Sequence, residues 1–142
     1  MIKTRLLLFL FFMITGASCI NKENNLLRGK WAFQKVILPD NRIFSINDSA
    51  SIRTEKEYEF LQDNMYIVET VQYKDGDGEL IVKKGNFELT DDNDKLYLTL
   101  KEKHLEGVGV STFHVLTLNE TDLIWESERK SRYFFTKVQS GN

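Results

Sequence analysis

Cys19 is the only cysteine among 142 residues, and it follows three small residues, Gly16, Ala17 and Ser18. That spacing lets a protease take the backbone in extended form and leaves a thiol at the new terminus for acylation. Upstream, Lys3 and Arg5 lead into an unbroken apolar run from Leu6 to Ile14. The run suits the core of a secretory signal and is too short for the about 20 residues that cross a bilayer. Acylation also removes a thiol that would otherwise be odd in an oxidising compartment, where no second cysteine exists for a disulfide.

Other residues invite chemical readings that their spacing does not support. His104 and His114 are the only histidines, ten residues apart, with Glu102 and Glu106 near the first. This matches no recognised metal-ligand pattern, so a solvated His104 and an outward or satisfied His114 are expected. Asp75-Gly76-Asp77-Gly78-Glu79 alternates hard oxygens with glycine as a calcium loop does. With Asp75 as position 1, however, position 12 holds Asn86 instead of a bidentate glutamate, and a hairpin turn is expected. Asp91 to Asp94 reads as a solvated turn. Glu69 lies in phase with Met65, Ile67, Val71 and Tyr73. Facing inward, its carboxylate would want Lys83 or Arg132 as a partner, or a polar ligand head group; a partly exposed face explains the phase equally well. There is no Gly-x-Ser-x-Gly turn and no base spaced to activate a hydroxyl, so the expectation is a non-enzyme with no catalytic residues, metal or cofactor.

These residues are positioned by a chain that reads as strands almost throughout. Residues 1–18 are expected to be a signal peptide, 19–25 a polar tether, and 26–142 one β domain with a single core. Cleavage before Cys19 removes Lys3 and Arg5, leaving 17 basic against 21 acidic residues. That balance argues against nucleic acid and against adsorption to an anionic membrane, so membrane attachment falls to Cys19 alone.

The first strand is expected over Lys30 to Leu38, with Trp31, Phe33 and Ile37 on one side, ended by Pro39-Asp40-Asn41. Arg42 to Lys56 reads as a long loop with a short strand at Ile43 to Ile46 or one helical turn after Asn47. Seven further strands are expected: Glu57 to Leu61, Met65 to Tyr73, Glu79 to Leu89, Lys95 to Lys101, Val110 to Leu118, Asp122 to Ser127 and Arg132 to Val138. Period two is clearest in Leu96, Leu98 and Leu100 against Tyr97, Thr99 and Lys101. An all-β meander of eight antiparallel strands hides its edges most simply by closing into an up-and-down barrel; a two-sheet sandwich is the alternative.

Leu27-Arg28-Gly29-Lys30-Trp31 resembles the Gly-x-Trp opening of lipocalins and of lipocalin-like domains in bacterial lipoproteins. The similarity continues through Lys84 to Leu89, Leu96-Tyr97-Leu98, Leu116 to Trp125, and Arg132 to Lys137. The Gly16 to Cys19 junction likewise resembles the lipobox of bacterial lipoproteins. The resemblance implies a lipocalin-like barrel with Trp31 plugging its closed end. Lipocalins bring an arginine from near the last strand onto this tryptophan; the candidates here are Arg132 and Lys137.

Two roles follow as expectations: binding of a small hydrophobic ligand in the barrel, or a non-catalytic protein-interaction or scaffold module of the envelope. Trp31, Phe33, Tyr58, Phe60 and Leu98 are expected to line an apolar cavity with Glu69 as a polar contact, and Arg42 to Lys56 to act as a lid. The expected location is the outer membrane, on its periplasmic face or at the surface, because Asn21 is not the aspartate that favours inner-membrane retention.

Overall fold

Alternating apolar and polar residues, punctuated by Asn, Asp and Gly, give strand after strand. The computed structural model describes residues 20–46, 55–74, 77–104 and 107–140. Across them run β1 (Gly29–Ile37), β2 (Ile43–Ser45), β3 (Glu55–Phe60), β4 (Met65–Lys74), β5 (Asp77–Asp92), β6 (Lys95–His104), β7 (Gly107–Leu118), β8 (Asp122–Glu126) and β9 (Arg132–Lys137). Every pairing is antiparallel and joins sequence neighbours, apart from the β1–β3 and β1–β9 ladders.

The β1–β9 ladder, from Trp31↔Lys137 to Ile37↔Arg132, closes the sheet, so the architecture is a barrel and not a sandwich. Nine strands fill eight places in its wall. β3 pairs with β1 along Gly29 to Ala32 and β2 pairs with the same strand along Lys35 to Ile37, so the two share one place in succession. The short strand at Ile43 is the one anticipated inside the irregular Arg42 to Lys56 segment; residues 47–54, the bulk of the expected lid, lie outside the described residues. Tight turns hold the register. Asp92 pairs with Lys95, and between them Asn93 (φ 51°) and Asp94 (φ 62°) both take positive φ, the requirement of a two-residue type I′ hairpin.

Several boundaries differ from the sequence expectation for definable reasons. A bulge between Phe33 and Lys35 shifts the phase of β1, so Val36 joins Trp31 and Phe33 in the core, where strict alternation would have placed Ile37. β7 begins at Gly107 and not at Val110: glycines that read as a turn continue the ladder through Glu102↔Gly109 and His104↔Gly107. β5 extends to Asp77, pairing with Lys74 of β4 across the hairpin, while residues 75 and 76 lie outside the described residues. Residues 20–27 are helical, where the lack of an apolar stripe suggested an irregular tether. This helix does not need a stripe, because its last turn is held by side chains of the barrel.

The core occupies the end at which the helix enters. Trp31, Phe33, Phe60, Leu98, Leu123, Trp125 and Phe135 are each at most 2 % exposed. The rings interlock: Trp125 lies 4.4 Å from Phe135 and 5.3 Å from Tyr58, and Phe60 meets Phe87 edge-on at 5.1 Å.

Candidate functional site

The closed end is sealed by polar contacts that the Gly29-Lys30-Trp31 motif makes possible. Gly29 has φ +111°, a conformation other residues rarely adopt, and a Cβ there would stand 3.1 Å from Lys137 Cε. Trp31, fully buried, donates its indole N–H to the Leu27 carbonyl at 2.7 Å. Lys137 donates to the Leu26 carbonyl at 2.9 Å and holds its ammonium 5.1 Å from the centre of the Trp31 ring. These carbonyls are among those a helix leaves without internal partners at its C-terminal end, and a cation there also suits the helix dipole. Burial holds the Lys137 ammonium below its ordinary pKa, with Glu120 opposing the shift. Of the two candidate cations, Lys137 therefore takes the tryptophan; Arg132 faces outward, 3.7 Å from Glu126.

Toward the other end the inward residues become small or polar, and the packing stops. Down β7 the inward sequence is Gly109, Ser111, Phe113, Val115; on facing β6 it is Glu102, Leu100, Leu98, Leu96. Where Gly109 and Ser111 supply almost no volume, a cavity of about 180 Å³ remains, bordered by Tyr58, Tyr66, Lys83, Glu102 and Phe113. Lys83 and Glu102 lie 3.6 Å apart with side chains 44 % and 23 % exposed, so the lining carries one charge of each sign. Tyr66 packs against Gly85, where a Cβ would collide with the Lys101 carbonyl and stand 2.7 Å from Tyr66 Cε1. Burial, reinforced by the charge of Glu102, pushes the Tyr66 phenol up to about 12. Thr70 uses its hydroxyl on the Ile81 carbonyl at 3.3 Å.

A second space, a groove of about 370 Å³, lies between β7 and the β8–β9 connection and shares Ser111 and Phe113 with the cavity. It exists because the β7–β8 ladder starts only at His114↔Glu126, which leaves Gly107 to Phe113 without a β8 partner among the described residues. Phe113 stands between the two spaces, stacked on Trp125 at 4.9 Å.

The residues expected to line a cavity divide sharply. Tyr58 does border it. Trp31, Phe33, Phe60 and Leu98 lie in the close-packed core and do not border this cavity, because the narrow, aromatic-rich lower barrel fills with its own side chains. Glu69 is on the outer face. Tyr66, Val68 and Thr70 are the inward residues of β4, so the Met65, Ile67, Glu69 phase is the outer one. Its suggested partners are engaged elsewhere, Lys83 with Glu102 and Arg132 with Glu126. The residues missed are Tyr66, Lys83, Glu102, Gly109 and Ser111. The available signal was the loss of side-chain bulk at Gly85, Gly109 and Ser111 along otherwise apolar inward phases.

His114 lies on the outer face of β7 against Tyr97, ring centres 5.3 Å apart. Among the described residues no three His, Cys, Asp or Glu side chains gather closely enough to hold a metal ion. The His104 side chain, Asp75 and Cys19 lie outside the described residues.

No protein-family model matches the chain, and no curated protein matches it. Solved structures do. A lipocalin-like protein from Bacteroides uniformis superposes with TM-score 0.58 at 20 % identity, over 80 % of this chain and 99 % of that one. An uncharacterized protein from Bacteroides eggerthii gives TM-score 0.55 at 19 % identity, over 79 % and 99 %. The fold is lipocalin-like.

Proposed function

We propose that this chain is a non-catalytic, lipid-anchored envelope protein that carries a small molecule inside its barrel. The observation that supports this reading most is the asymmetry of the interior: a floor sealed by Trp31, Lys137 and the helix, and a cavity left where Gly109 and Ser111 face inward. In place of the expected apolar lining, the cavity is bordered by polar as well as apolar residues. A space of about 180 Å³ lies below the roughly 300–1,000 Å³ of sites for drug-sized ligands, so it takes a compact molecule or one end of a longer one. Anchoring at Cys19 rests on the Gly16 to Cys19 junction and the export-type segment ahead of it. An outer-membrane location, at the periplasmic face or the surface, follows from the same junction and Asn21.

A second reading, an interaction module, draws on exposed aliphatics toward the mouth: Leu80 and Val82 on β5, Val108 and Val110 on β7, each 51–60 % exposed.

Three measurements test the proposal. In a bacterial host the wild-type chain should incorporate labelled fatty acid and Cys19→Ala should not; unlabelled wild-type protein refutes the anchor. Native mass spectrometry of the purified protein should reveal a small co-purifying molecule, and a fluorescent apolar probe should bind at micromolar concentration. If neither occurs, the carrier reading gives way to the interaction module.

A further inference from the structure

The base of the barrel carries a groove of its own, apart from the spaces toward the mouth. About 640 Å³ in volume, it lies between the helix over residues 20–27 and the β7–β8 turn, lined by Asn21, Lys22, Asn25, Leu26, Glu120 and Lys137. That volume falls within the roughly 300–1,000 Å³ of small-molecule sites. Its walls are held in place. Asn119 Oδ1 accepts the backbone N–H groups of Thr121 and Asp122 at 2.9 and 2.8 Å, and the Thr121 carbonyl accepts the Lys137 backbone N–H at 2.8 Å, so the turn that presents Glu120 is pinned to β9. The Lys137 ammonium is itself fixed by the Leu26 carbonyl and the Trp31 ring.

The charges across this groove are placed but not matched. Lys22 on the helix and Glu120 on the turn make no ion pair with each other, and neither side chain has a hydrogen-bond partner among the described residues. Glu120 acts on Lys137 only through its field. Opposite charges held on two walls without neutralising each other complement a ligand that carries both signs. Resting on the anchoring at Cys19 proposed above, we infer that the groove seats the headgroup of a phosphoethanolamine lipid, its phosphate toward Lys22 and the Asn21 amide and its primary ammonium toward Glu120. The location agrees: the helix begins one residue after Cys19, so a lipid-bound Cys19 brings this end of the barrel to the bilayer surface. An anionic headgroup without an ammonium would set added negative charge against Glu120, and a choline headgroup offers that carboxylate no N–H to accept. Because Lys22 and Glu120 are exposed, each contact is modest, about two- to fivefold in affinity.

The test uses the full-length protein, isolated from an expressing bacterium and transferred into phosphatidylcholine nanodiscs, with empty nanodiscs as baseline. Glycerophosphoethanolamine, glycerophosphocholine and glycerophosphoglycerol, which carry the headgroups without acyl chains, are titrated and followed by ligand-observed NMR. Glycerophosphoethanolamine should bind about two- to fivefold tighter than either of the others. Glu120→Gln should abolish that preference, and Lys22→Gln should weaken all three compounds about two- to fivefold; both side chains are exposed, so both variants should fold. In a second arm, hydrogen exchange of the helix over residues 20–27 should slow about twofold or more when the nanodiscs contain phosphatidylethanolamine, and Glu120→Gln should remove the slowing. Equal binding of the three compounds, or a preference that Glu120→Gln leaves intact, overturns the inference. A preference in solution with no slowing in phosphatidylethanolamine nanodiscs overturns the lipid as its source. The soluble compounds need no acyl chain on Cys19, so their failure leaves the anchor to be judged by fatty-acid labelling alone.

Discussion

Replacing Trp31 with alanine should remove a large share of the fold's stability. The side chain is fully buried, and emptying a large aromatic from a core costs about 3–5 kcal/mol. Two polar contacts disappear with the ring: the indole N–H to the Leu27 carbonyl and the Lys137 ammonium 5.1 Å from its centre. A domain of this size has roughly 6–18 kcal/mol in total, so the loss is about a sixth of it or more. With a urea slope near 2 kcal/mol/M, the midpoint should fall by about 2 M. Trp31→Phe keeps most of the volume and should cost about 1–2 kcal/mol. Lys137→Met should cost a similar amount through the Leu26 hydrogen bond and the ring contact. A double-mutant cycle between Trp31→Phe and Lys137→Met should return a coupling of about 0.5–1 kcal/mol. Urea unfolding followed by circular dichroism measures the three single variants and the double variant. A midpoint shift below about 0.3 M for Trp31→Ala would refute the sealed floor.

Alkaline stability should depend on Tyr66. The folded state holds the phenolic proton to about 12 while the unfolded chain releases it near 10, so stability present below pH 10 is lost as pH rises to 12, by about 2–3 kcal/mol; Tyr66→Phe should flatten that part of the wild-type curve. Gly85→Ala forces a methyl against the Lys101 carbonyl and the Tyr66 ring and should cost about 2–4 kcal/mol, measured by thermal unfolding; a neutral result would mean that β5 and β6 separate without penalty there. The β1 bulge predicts that Val36→Ala destabilises by more than Ile37→Ala, by about 1 kcal/mol in urea, and equal costs would mean unbroken alternation through Lys35.

The strands were legible because period two and Asn/Asp/Gly turns are local properties, and seven runs from Glu57 onward lie within a few residues of their observed bounds. Closure was inferred from the need to hide edges, and only the β1–β9 register decides it against a sandwich. The site was less legible, because it consists of missing volume. Trp31, Phe33, Phe60 and Leu98 are the right residues for an apolar interior, yet their bulk is what closes it. Glu69 had the right period on the wrong face, since the outer surface of β4 carries Met65 and Ile67 in phase with it and so imitates a core. Lys137 shared the inward phase of Phe135, but its role depends on a helix turn more than a hundred residues earlier.

The helix over residues 20–27 meets the barrel at its sealed end, and at about 1.5 Å per residue it spans only about 12 Å. On the proposed anchoring at Cys19, the lipid would hold the body by its base. On the proposed carrier reading, the cavity beside Gly109 and Ser111 would then face away from the membrane, and cargo would enter and leave through the aqueous side, not directly from the lipid below.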